Sequence, residues 1–127
     1  MKYADDYNER YKGCMLKGAE FYKTEQFRHN GRSLWRLPAR YPTDIHNQSV
    51  GIFTFSEICN YNEEYISFAE TIAKWTIRNM QDKDGFFYYR KGRIITNRIP
   101  YMRWSQAWMF LALVTLTETK NRIGKND

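Results

Sequence analysis

The segment "YPTDIHNQSV" places a carboxylate, Asp44, two residues before an imidazole, His46. A paired acid and base could move a proton at a sugar or a phosphate ester. Their spacing argues against a shared helix face, because neighbours on a helix lie three or four residues apart. Asp44 directly precedes an apolar run, where a carboxylate accepts the first free backbone N–H groups of a helix, so it reads first as an N-cap. His46 reads first as a hydrogen-bonded interior histidine, then as a base. The weak catalytic candidates are these two residues. A second constellation, "IPYMRWSQAW", holds Tyr101, Arg103, Trp104 and Gln106. With Trp35 and Gln48 from the first half, these are candidate ligand-binding groups. A guanidinium matches a carboxylate or phosphate, and an indole face matches an apolar ring surface.

Arg103 stands at the first turn of an expected helix, where a positive charge opposes the helix dipole. Something should compensate it: a carboxylate such as Asp44 or Asp84, or a bound anion. Gln48 and Gln106 are expected to be semi-buried and to tie each helix to its neighbouring loop. Trp104 and Trp108 are expected to wedge between helices.

Other chemistry has no support in the residues. Glycoside hydrolysis uses two carboxyl groups flanking the bond, and these segments offer Asp44 alone, since Asp84 belongs to an Asp-Gly turn. No His/Cys cluster has metal-ligand spacing, and no phosphate loop, dinucleotide fingerprint or nucleophile elbow occurs, so no metal and no cofactor is expected. Cys14 and Cys59 read as free thiols of a reducing compartment. The net charge is +6. No Asp or Glu occurs from Gln26 to Thr43 or from Gly85 to Thr117, stretches rich in arginine. A basic surface with ten Tyr, eight Phe and four Trp in the chain fits an acidic or polar partner. Nucleic acid is the weaker fit. No run reaches the roughly 20 apolar residues of a membrane span and no secretory leader is visible, so a cytoplasmic location without membrane is expected.

The elements that must position these groups are four helices, expected over about 5–27, 44–60, 63–80 and 103–119. In the third, Tyr65, Ala69, Ile72, Ala73, Thr76 and Met80 fall on one face, the pattern of an amphipathic outer helix. The second and fourth are apolar nearly all round, which calls for burial among other helices. The expected fold is therefore all-α, one domain over 1–127, with helices in the order outer, inner, outer, inner.

The loops repeat. "HNGRSLWRLPARYP" and "DKDGFFYYRKGRIITNRIP" each carry a Gly turn, an aromatic-rich extended run and a proline, and a glutamine follows each proline by six residues. The second loop reads as a short β-hairpin around Lys91-Gly92. The chain thus divides into two tandem helical hairpins with long loops, about 5–60 and 63–119.

The motifs Tyr-Pro-x-Asp-Ile-His and Ile-Pro-Tyr-Met-Arg-Trp-x-Gln-Ala-Trp, within a similarity spanning about Ala19 to Leu116, resemble the C-terminal part of α/α-toroid proteins. These are six-hairpin, glycosidase-like helical barrels of the bacterial surface-polysaccharide biosynthesis type. The resemblance implies a partial α/α toroid, with ligands held where inner helices begin, and a carbohydrate-linked module binding an acidic saccharide or sugar phosphate. Two hairpins are fewer than a toroid needs. The chain is then a domain that works with the missing hairpins, or a homo-oligomer. Two alternatives remain open: a sugar lyase or hydrolase-like enzyme completed by other hairpins or protomers, and a structural docking domain.

Overall fold

A computed structural model of the protein describes residues 9–125. Any start of the first helix before Glu9 lies outside the described residues. Four α-helices are present among them: α1 (Glu9–Gln26), α2 (Ile45–Glu57), α3 (Glu64–Met80) and α4 (Ala107–Ile123). A short 3₁₀ turn, Cys59–Tyr61, follows α2, and a π-helical turn, Met102–Gln106, leads into α4.

The six apolar positions read from α3 are the ones it buries. Its start is capped from outside, by the Asn62 side chain accepting the Glu64 N–H at 2.9 Å. Helix α2 packs against both α3 and α4. The core centres on Phe55 of α2, stacked on Tyr22 of α1 at 5.6 Å and set edge-on to Phe68 of α3 at 5.0 Å. Rings in such geometry add to the stabilisation from burying their area.

The hairpin repeat is visible bond by bond. Phe27 bridges Ser33 and Gln81 bridges Phe87. The Gly31 N–H donates to Arg28 O, as the Gly85 N–H does to Asp82 O, both at 2.9 Å. Leu34 donates to Gln26 O and Tyr88 to Met80 O. Gly31 and Gly85 both take positive φ, +87° and +95°, which only glycine adopts without strain.

The all-α expectation needs one correction. The hairpin at Lys91-Gly92 forms, β2 (Arg90–Lys91) against β3 (Thr96–Asn97), but a third strand, β1 (Thr43–Asp44), also pairs antiparallel with β2. The fold is mostly helical with a small three-stranded sheet. The strand joins the two repeat units, because Thr43 leaves the first loop extended and finds the free edge of β2.

A second correction concerns α4. It was expected to be surrounded, like α2. Met109, Ala112 and Leu116 are buried, but Phe110 is 72% exposed and Leu111 and Val114 are also exposed. Its apolar circumference exceeds what two hairpins can cover. No helix among the described residues is long and apolar enough to cross a membrane.

Candidate functional site

The sheet draws both long loops to the beginnings of α2 and α4. Asp44 ends β1 and caps α2, its Oδ1 accepting the His46 N–H at 2.9 Å. Its Oδ2 accepts from Arg90 Nε at 2.6 Å, and the carboxylate is nearly buried. Asp44 is thus fixed by a backbone cap and a cation together. The Arg90 guanidinium in turn lies 4.5 Å from the Trp35 ring and 4.4 Å from the Tyr89 ring. A cation held between two aromatic faces is attracted to both. Tyr89 continues the row to Tyr101, ring centroids 4.8 Å apart. The Ile45 N–H donates to Tyr89 O at 3.1 Å, which locks the row against the start of α2.

His46 stands on the other side of the cap. Its ring meets Trp108 edge-on at 4.9 Å and Trp104 at 6.5 Å. Its Nδ1 is buried without a hydrogen-bond partner among the described residues, and the ring packs among indoles. Beside it lies a cavity of about 210 Å³ lined by Tyr22, Gln26, Ser33, His46 and Asn47 among others. The Ser33 hydroxyl is likewise buried and without a hydrogen-bond partner among the described residues. Burial pushes the Tyr22 phenol up to about 12.

The structure separates the remaining candidates. Gln48 is fully buried and unavailable to a ligand. Its carbonyl accepts from the Ser33 N–H at 2.6 Å, and its amide donates to Gly31 O at 3.2 Å and to Thr76 Oγ1 at 2.7 Å. Gln106 does the same work in the second unit, accepting from the Phe87 N–H at 2.9 Å and donating to Phe87 O at 2.8 Å. Both glutamines are loop clamps, as their repeat spacing suggested. Arg103 pairs with neither Asp44 nor Asp84; it is exposed and has no carboxylate partner among the described residues. Asp44 is taken by Arg90, and Asp84 is an exposed turn residue whose N–H bonds to Asp82. Trp104 does not wedge between helices either. It is 54% exposed: it sits in the π-helical turn and no helix among the described residues covers it.

Compared with family models, with curated proteins and with solved structures, the chain matches none.

Sequence reasoning missed Arg90 as the partner of Asp44, since it was visible only as one of a run of loop cations. Nothing local pairs Arg90 with Asp44 across the intervening chain; the pairing exists only once β1 and β2 are neighbours. Cys14 is exposed on α1 and Cys59 buried, both free thiols. Among the described residues no group of three or more His, Cys, Asp or Glu lies together.

The arrangement can bind more readily than it can react. Both oxygens of the buried carboxylate are already engaged, one by Arg90 and one by the His46 backbone N–H. Exposed near the starts of α2 and α4 are Tyr101, Trp104 and Trp108, with Arg103, which has no carboxylate partner among the described residues, in the same turn as Trp104.

Proposed function

We propose that this chain is a carbohydrate-linked helical module that holds an acidic saccharide or a sugar phosphate at the aromatic end of α2 and α4. The observation that carries this reading is the pairing of an exposed indole, Trp104, with an exposed arginine, Arg103, that has no carboxylate partner among the described residues. An indole face covers the apolar face of a sugar ring, while a guanidinium donates hydrogen bonds to its carboxylate or phosphate. The tandem hairpins, with their loops gathered at one end, support reading the fold as part of an α/α toroid of the polysaccharide-biosynthesis type.

The test is a titration with tri-galacturonate and with glucose 1-phosphate, followed by tryptophan fluorescence and calorimetry, with maltotriose as the uncharged comparison. Arg103→Ala is expected to weaken the charged ligands about tenfold to a hundredfold, the range for a hydrogen bond to a charged group. It should barely alter any maltotriose signal, whereas Trp104→Ala should weaken every sugar that binds. Unchanged affinity for both charged ligands in Arg103→Ala would falsify the assignment.

A further inference from the structure

A groove of about 450 Å³ runs along the uncovered side of α4, from Gly85 and Phe87 to Glu118. The repeat identifies what belongs there. Most residues lining it have a counterpart in the first unit that is buried there. Gln106 corresponds to Gln48, Phe110 to Ile52, Leu113 to Phe55 and Val114 to Ser56; all four first-unit residues are 0% exposed. Gly85 corresponds to Gly31. A Cβ on Gly31 would come within 2.5 Å of the Thr71 carbonyl of α3, whereas a Cβ on Gly85 would meet nothing within 4 Å. The surface that α3 occupies on the first unit is therefore formed again on the second, with no helix among the described residues upon it.

A helix suited to it is present at the other end of the molecule. Aligned by the same repeat, Tyr11, Cys14, Gly18 and Phe21 of α1 stand where Tyr65, Phe68, Ile72 and Trp75 stand in α3. Tyr65 and Ile72 are buried against the first unit, while Tyr11 and Phe21 are 58% and 54% exposed and Gly18 is open. Lys17 lies beside that stripe, and Glu118 is the charged residue lining the groove.

We propose that the α4 groove receives α1 of a second copy of the chain, in the place α3 takes on α2, so that copies join head to tail. The contact is heterologous: it uses two different surfaces and continues until a ring closes. It extends the interface already present between the two units, as stacked repeats do. The inference does not depend on the saccharide reading, since none of these residues belongs to the aromatic end except Gln106, a loop clamp.

The tests are sedimentation over a range of concentrations and a disulfide trap. The wild-type chain should associate as concentration rises. Phe110→Glu and Phe21→Glu should each raise the midpoint for association by about thirtyfold or more, as loss of a central interface side chain does. Helical circular dichroism reports whether each variant still folds. In the trap, Leu113→Cys places a thiol where Phe55 meets Phe68 in the intramolecular pair. Under diamide it should cross-link to Cys14 of the next copy as a ladder of multimers, and Leu113→Cys with Cys14→Ser should not. A monomer at every concentration with no ladder overturns the proposal. Cross-links that persist without Cys14 also overturn it, because they show groove meeting groove.

Discussion

Replacing Gln48 by leucine keeps the side chain's bulk and removes its three hydrogen bonds from a fully buried position. Thr76 keeps its bond to Ile72 O, so its loss is small. The Ser33 N–H loses the glutamine carbonyl, and Gly31 O loses its donor, inside the protein where water does not replace them. An orphaned buried backbone group costs about 1–3 kcal/mol, so the substitution should destabilise by about 2–5 kcal/mol. That is a large share of the roughly 5–15 kcal/mol that holds a domain folded. Gln106→Leu removes the equivalent clamp on Phe87, yet beside an open groove where water can take over. Its cost should be about 0.5–1.5 kcal/mol. Urea unfolding at low protein concentration, read by far-ultraviolet circular dichroism with the slope checked for constancy, measures both. Equal losses, or a larger loss for Gln106→Leu, would refute the argument that burial by the second unit sets the value of the clamp. If copies associate through the α4 groove, the gap should narrow as concentration rises, because the groove is then filled.

The two turn glycines should differ in the same sense. Gly31→Ala combines a positive φ with a clash against the Thr71 carbonyl and should cost about 2–5 kcal/mol; Gly85→Ala has the φ penalty alone, about 1–2 kcal/mol, both read from unfolding midpoints. Burial keeps Tyr22 protonated to about pH 12 in the folded chain against 10.0 when unfolded. The raised value means its contribution is complete below pH 10 and is lost between about pH 10 and 12, so Tyr22→Phe should flatten the alkaline fall in stability over that window. Tyr65 and Tyr88 are also raised, so a tyrosinate absorbance titration should show several lagging phenols, the last of them missing in Tyr22→Phe; its persistence there would count against the buried placement.

The helices were legible in the sequence because their signals are local. The spacing of Tyr65, Ala69, Ile72, Ala73, Thr76 and Met80 fixes which side of α3 is apolar, and Asp44 before Ile45 fixes where α2 begins. The repeat was legible too, since two glycine turns and two glutamines at matching offsets reflect one local geometry used twice. Tertiary structure alone decided the rest, because the deciding contacts join residues that no local pattern relates. Asp44 chose Arg90 over Arg103 when an edge strand found a partner. Gln48 was buried and Gln106 left beside a groove although their sequence settings are alike, since one unit has a successor packed on it and the other has none among the described residues. Apolar composition showed how much surface α4 needs to hide; only the packing of the neighbouring helices showed how much of it is hidden.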